Sequence, residues 1–197
     1  MKLNWAERWV VNNPLRVLEQ RIEIRRLKKM MPLKPGACVL EIGCGRGAGA
    51  GLILDEYGPD RVHALDLDVD MLRKATVYLP PSKKKRISLL AGDCSCLPVK
   101  KGSLDAVFGF GVLHHALDWR SSLAEIARVL KPGGVFFIEE LYPALYQNFI
   151  TRHILLHPTE DRFSGPDLRK ALSEARLDLK EFIELEWVGL LGVAVKT

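Results

Sequence analysis

The chain has no Cys-x-x-Cys pair and no long apolar run. No stretch of about 18 apolar residues occurs, so no membrane-spanning helix is expected. Four cysteines are present, Cys38, Cys44, Cys94 and Cys96, and none forms a Cys-x-x-Cys pair. Cys94-x-Cys96 is too tight for the usual zinc spacing, so free reduced thiols and no metal site are expected. The iron–sulfur spacing of radical enzymes is missing as well. There are no internal repeats and no low-complexity segments. Met1-Lys2-Leu3-Asn4-Trp5-Ala6-Glu7-Arg8 lacks the apolar core of a secretion signal, and a cytoplasmic location is the default expectation.

What is there fits one α/β domain. With 197 residues, the chain is long enough for one such domain and short for two. A single domain over residues 1–197 is expected, with a helical segment over 1–35. The net charge of +5 is compatible with nucleic acid, an anionic membrane surface or neither. Much of the excess lies in Arg21, Arg25, Arg26, Lys28 and Lys29, and in Lys83-Lys84-Lys85-Arg86. The second run sits between Pro80-Pro81 and an apolar strand, where a solvated turn is expected.

Strands and helices alternate. Asn13-Pro14 reads as a helix cap followed by proline at the first helical position, and Leu15, Leu18 and Ile22 recur at helical spacing. Apolar strands are expected near 38–42, 62–66, 87–91, 104–110 and 134–139, with helices near 47–57, 69–79 and 119–130. This order predicts a mostly parallel sheet with right-handed crossovers. Ser164-Gly165-Pro166-Asp167 opens a helix reaching about Leu177. Segments near 179–187 and 190–196 are too close for a helical crossover, so they should pair antiparallel as a hairpin.

The chemistry begins at Val39-Leu40-Glu41-Ile42-Gly43-Cys44-Gly45-Arg46-Gly47, a strand that feeds a glycine turn. Glycine lets the backbone turn tightly and approach a ligand closely. A strand, such a turn and a helix make a nucleotide-binding corner, and Gly43-x-Gly45-x-x-Ala48 also fits the dinucleotide fingerprint. Asp66 ends the second strand 21 residues after Gly45, where an acid accepts ribose hydroxyls. Asp68 is placed to cap the next helix. Asp93 sits at the carboxyl end of the third strand, where a carboxylate can accept from an adenine amino group. Asp105 starts a strand at the opposite edge and reads as structural. Cys44 and Cys94 fall in loops at the same sheet edge.

Glu41-x-Gly43-x-Gly45-x-Gly47, the Asp66 strand end, Gly92-Asp93, Leu97-Pro98, Val112-Leu113-His114-His115 and Arg128-Val129-Leu130-Lys131-Pro132-Gly133-Gly134 occur in order. This series, over roughly residues 36–140, closely resembles the class I S-adenosylmethionine-dependent methyltransferases, in particular the small-molecule group that includes quinone-type enzymes. The resemblance implies a doubly wound α/β fold, a seven-stranded, mostly parallel sheet whose C-terminal hairpin is antiparallel. It implies S-adenosyl-L-methionine as cofactor, with Glu41 near the methionine amino group, Asp66 and Leu67 at the ribose, and Asp93 and Cys94 at adenine. Gly43, Gly45 and Gly47 would shape the turn, and Gly109 would lie beside the methyl group. Arg46 stands where this family commonly has a small hydroxyl residue. The Asn/Asp-Pro-Pro-aromatic motif of amine-directed relatives is absent, which points away from an adenine-base or glutamine-amide acceptor.

His114 and His115 are candidate general bases, although a hydrogen-bonded loop histidine beside a helix-start residue is the favoured reading of such a pair. Tyr142, Tyr146, Phe149 and His153 fall at helical spacing and form one stripe of a helix; the resemblance implies that residues 141–163 form part of a substrate lid, with Tyr142 a third catalytic candidate, whereas packing is the commoner meaning of such a stripe. Trp5 and Trp9 are similarly spaced and could close over the site. The expectation is a methyltransferase acting on a small molecule. The alternatives are an RNA or protein methyltransferase, favoured only by charge, and a non-catalytic cofactor-binding module. Oligomeric state is left open.

Overall fold

The computed structural model describes residues 13–146 and 161–197. Helix α1 (Pro14–Met30) starts where the Asn13 side chain accepts from the Leu15 amide, and Lys28 and Lys29 complement the dipole of its last turn. Strand β1 (Cys38–Ile42) leads through the glycine turn into α2 (Ala48–Tyr57), which Gly47 and Gly58 bound in left-handed conformations. Then come β2 (Arg61–Asp66), α3 (Val69–Tyr78), the one-turn α4 (Pro81–Lys84) and β3 (Ile87–Ala91). Asp68 caps α3 by accepting from Asp70. The basic run 83–86 is tied to its surroundings: Lys83 pairs with Asp55, and Arg86 donates to the carbonyls of Pro59 and Asp60.

Strand β4 (Leu104–Phe110) is followed by a 3-10 turn (Leu113–His115), α5 (Trp119–Val129), β5 (Leu130–Leu141) and the short α6 (Pro143–Tyr146). Helix α7 (Gly165–Glu174), β6 (Leu177–Leu185) and β7 (Gly189–Lys196) close the chain. The strand order is β3-β2-β1-β4-β5-β7-β6. All pairs from β3 to β5 are parallel, and β7 is antiparallel to both β5 and β6. The expected seven-stranded sheet and terminal hairpin are therefore present.

Alternation along the strands divides the core into two layers. Val39, Val62, Ala106, Phe108 and Phe137 pack under α1, α2 and α3. Leu40, Ile42, Val107, Phe136 and Ile138 pack under α5 and α7. Asp105 fastens the amino edge, accepting from the Cys38 amide at 2.8 Å and the Lys131 ammonium at 2.7 Å.

Several elements differ from expectation, among them β6, which runs over Leu177–Leu185 and not 179–187. Strand β5 starts at Leu130, which pairs with Leu104, and the register then jumps to Ala106 opposite Val135, so Lys131–Gly134 bulge out of an already formed ladder. Helix α7 stops at Glu174 because Arg176 adopts φ 58° and turns the chain into β6 at Leu177. The stripe expected from Tyr142 to His153 is represented only by Tyr142, which precedes α6, and by Tyr146 at its end. Phe149, His153, Trp5 and Trp9 lie outside the described residues. No helix among the described residues is long and apolar enough to cross a membrane.

Candidate functional site

The glycine turn after β1 is built from left-handed backbone, with φ of +64° at Gly43, +53° at Gly45 and +81° at Gly47. At Gly43 a Cβ would fall 2.5 Å from Val112 Cγ2, so glycine lets the loop after β4 lie on the turn. The Cys44 amide donates to Leu65 O at 2.9 Å, and the Gly45 amide donates to Asp66 Oδ2 at 2.7 Å. Both bonds lock the turn to the end of β2.

Asp66 also accepts from the Asp68 amide at 2.8 Å. Burial raises its pKa, and these two amide bonds work against the rise. Glu41 is buried at the end of β1 beneath the first turn of α2. Its carboxyl accepts from the Ala50 amide, yet Oε2 is buried with no hydrogen-bond partner. Burial, with Asp66 nearby, raises its pKa well above the ordinary carboxylate range. Desolvation, then these two acids, pushes the Cys44 thiol up too. Asp93 differs: Oδ1 accepts from the Ser95 amide at 2.9 Å and the Ser95 hydroxyl at 2.8 Å, which holds its pKa below the usual value. Cys94 Sγ lies 3.3 Å from the Ser122 hydroxyl.

At the end of β5, Glu139 and Glu140 face opposite ways. Glu140 accepts from the amides of Val112 at 2.9 Å and Leu113 at 2.7 Å, and His114 Nδ1 lies 2.8 Å from its other oxygen. It therefore holds the whole turn after β4. Glu139 meets Arg16 of α1 at 2.9 Å, and Arg16 also binds Glu23 at 2.9 Å. Burial nonetheless pushes the Glu139 carboxyl up to about 8.

A cavity of about 460 Å³ lies at the carboxyl edge of the sheet, walled in part by Arg16, Glu41, Asp66 and Asp93. Of the residues expected at a cofactor, Glu41, Gly43, Gly45, Asp66, Leu67, Asp93 and Cys94 line it. Gly47 is packed behind the turn against Leu79, and Gly109 lies within β4 against Ile42 and Phe136, so these two shape the wall without lining it. His115 lines the cavity, whereas His114 is buried behind it on Glu140. Tyr142 departs from expectation. Its ring is buried on the α5–α7 side of the sheet, and its hydroxyl donates to Glu184 at 2.6 Å. Tyr146 is buried as well, with its ring 5.3 Å from that of His114.

Sequence reasoning passes over Arg16 and Gln20 of α1, and Leu117 and Asp118 beyond the 3-10 turn, all on the cavity wall. The pair Glu139-Glu140 was findable, because acids at the carboxyl ends of strands are what singles out Glu41, Asp66 and Asp93.

A glycine turn with convergent acids at the carboxyl edge of a doubly wound sheet is the place where open α/β folds hold their ligands. A family model described as "Methyltransferase domain" matches residues 40–138. The chain belongs to this methyltransferase domain family. It is 39% identical over 124 residues to demethylmenaquinone methyltransferase of Lactococcus lactis, covering 61% of this chain and 48% of that protein. It is 40% identical over 159 residues to a Mycolicibacterium smegmatis protein named "Probable S-adenosylmethionine-dependent methyltransferase", covering 80% of this chain and 55% of that one. The chain thus spans about half the length of these curated relatives. Among solved structures, a SAM-dependent methyltransferase from Aquifex aeolicus superposes over all of both chains with a TM-score of 0.79 at 21% identity, a likeness of fold.

Proposed function

We propose that this chain binds S-adenosyl-L-methionine and transfers its methyl group to a small-molecule acceptor. The observation that carries the reading is Glu41, a fully buried carboxyl with an unpartnered oxygen on the cavity wall. Such an oxygen fits a ligand ammonium, and it opposes the pyrophosphate of a dinucleotide, which favours N–H groups and a helix N-terminus. Asp66, whose oxygens each keep a lone pair beyond their amide bonds, fits the ribose hydroxyls. Asp93 and Cys94 fit the base.

When bound, the cofactor supplies a methyl group already activated on a sulfonium. The chain's part is positioning for in-line displacement. The glycine turn and its acids fix the donor, while Phe110, Gly111 and His115 leave room for an acceptor on the same wall. His115 is the candidate base where the acceptor must lose a proton, and His114 orients the turn from behind. A small acceptor is supported by the relative named as a demethylmenaquinone methyltransferase and by the missing amine-directed motif.

Calorimetry with S-adenosylhomocysteine and with a nicotinamide dinucleotide tests the cofactor half. Transfer of labelled methyl to a panel of phenols, quinols and amines tests the acceptor half. Dinucleotide binding without any response to S-adenosylhomocysteine would overturn the reading, and labelling confined to RNA or protein would replace the acceptor class.

A further inference from the structure

Helix α1 has two faces in different surroundings. Gln20, Ile24 and Leu27 turn into the domain and are buried. The opposite face carries Leu15, Leu18 and Ile22, which are 72%, 57% and 49% exposed. They are three and four residues apart, so they form one stripe over the first half of the helix. The same stripe continues through Arg25, Arg26 and Lys29, all exposed, in the second half. A single exposed leucine is ordinary on a protein surface. An apolar stripe that runs into a basic one on a single helix face is the pattern of a helix that lies in a membrane interface.

Charge favours the same occupant. Within Pro14–Met30 stand six basic residues, Arg16, Arg21, Arg25, Arg26, Lys28 and Lys29, against two acids, Glu19 and Glu23. The helix therefore holds most of the chain's net charge of +5. Arg16 is turned inward onto Glu139 and Glu23, and Arg25 meets Glu56 at 2.8 Å. Arg21, Arg26 and Lys29 enter no salt bridge among the described residues, so they can meet an external anion. Each Lys or Arg held near an anionic leaflet adds to binding, and apolar side chains add what they bury at the acyl boundary. A nucleic acid would satisfy the basic half and leave Leu15, Leu18 and Ile22 in water. We propose that the outer face of α1 docks this protein on the surface of a bilayer that contains anionic lipid. Leu15, Leu18 and Ile22 enter the interface, and Arg21, Arg26 and Lys29 lie against the headgroups. Arg16 and Gln20, on the same turns as the apolar stripe, line the cavity, so docking brings the carboxyl edge of the sheet next to the membrane. Docking of this kind requires neither cofactor nor acceptor.

The test floats the full chain with vesicles of phosphatidylcholine alone and of phosphatidylcholine mixed with phosphatidylglycerol. Binding to the anionic vesicles should be about tenfold stronger or more, and salt should weaken it. Leu15→Gln, Leu18→Gln and Ile22→Gln together remove the apolar half and should weaken binding about tenfold or more. Arg26→Gln with Lys29→Gln should do the same through charge. Lys100→Gln with Lys101→Gln removes equal charge from the exposed turn before β4 and should leave binding within about threefold. Circular dichroism and the unfolding midpoint check that each variant folds; if the triple variant does not, the Arg26 and Lys29 variant decides. No vesicle binding, equal binding to both compositions, or equal losses from the α1 and the Lys100 and Lys101 variants overturns the proposal. Capture of RNA without vesicle binding overturns it as well and assigns the face to nucleic acid.

Discussion

Gly49 stands where any side chain would collide with Glu41. A Cβ at that position falls 1.9 Å from Glu41 Oε1, inside the van der Waals limit for any pair of atoms. The backbone of Gly49 is helical, so alanine there is disfavoured by its neighbour and not by its own φ. The carboxyl of Glu41 occupies the space that the missing side chain leaves, which places the strand-end acid directly under the helix N-terminus.

Gly49→Ala should therefore displace Glu41 and damage the site more than the fold. In an exposed helix the same change would stabilise by about 0.5–1 kcal/mol. Here we expect at least a tenfold loss of S-adenosylhomocysteine affinity by calorimetry, with secondary structure retained by circular dichroism. Unchanged affinity would mean that Glu41 can move aside and does not anchor the ligand.

Asp66 and Asp68 differ by two residues and have different tasks. Asp66 draws together the glycine turn and the start of α3, and it faces the cavity. Asp68 caps α3. Asp66→Ala should cost about 1.5–3 kcal/mol in cofactor affinity, the range for hydrogen bonds to a charged group. Asp68→Ala should cost about 1 kcal/mol in folding stability as a lost cap. Titration calorimetry and urea unfolding on both variants separate the two. A larger affinity loss for Asp68→Ala would reverse the assignment.

The sheet, the glycine turn and its acids were legible because each rests on local chemistry. Strand and helix periods differ, glycines mark a left-handed turn, and an acid that ends a strand lands on the ligand edge. The wall contributed by α1 was not legible. Arg16, Gln20 and Glu23 can be seen to share a helix face, but only packing tells which face turns inward. Reading the fifth strand as ending near residue 139 leaves Glu140 outside it, whereas β5 runs to Leu141 and directs Glu140 onto the His114 turn. Tyr142 misled through periodicity. A stripe at i and i+4 implies one helix, but the helix after β5 starts at Pro143, so Tyr142 lies outside it, and the Tyr142 hydroxyl finds its partner in Glu184.

Glu140 should prove to be a structural hub. It is buried and satisfies two strong amide bonds and a histidine at once. Removing one member of a buried charged network typically costs about 3–5 kcal/mol. Glu140→Ala should therefore lower unfolding free energy by about that amount in a denaturant titration. Glu140→Gln, which keeps one acceptor oxygen, should lose less. Equal stability of Glu140→Ala and the unaltered chain would show that the turn after β4 is held by packing of Val112 on Gly43 and not by Glu140.

The last prediction concerns protons. Burial first, and then Asp66, raises the pKa of Glu41, so without a ligand this carboxyl stays protonated at pH values where an exposed glutamate is ionised. A ligand ammonium beside it favours the charged form and lowers that pKa. Binding of S-adenosylhomocysteine should then release a proton, and affinity should rise with pH until Glu41 ionises unaided. The sign for folding is the opposite. A carboxyl whose folded pKa is raised binds more protons folded than unfolded, so its contribution is fully present below the unfolded value and is lost as pH rises through the folded one. Glu139, pushed up to about 8, adds to the same trend, and the ligand-free chain should lose stability between about pH 5 and 8. Calorimetry at pH 7 in buffers of different ionisation heat reads the released proton directly. A binding enthalpy independent of buffer would show that Glu41 is already ionised before the ligand binds, or that the ammonium lies elsewhere. Glu41→Gln, which cannot titrate, should abolish the buffer dependence if Glu41 is its source.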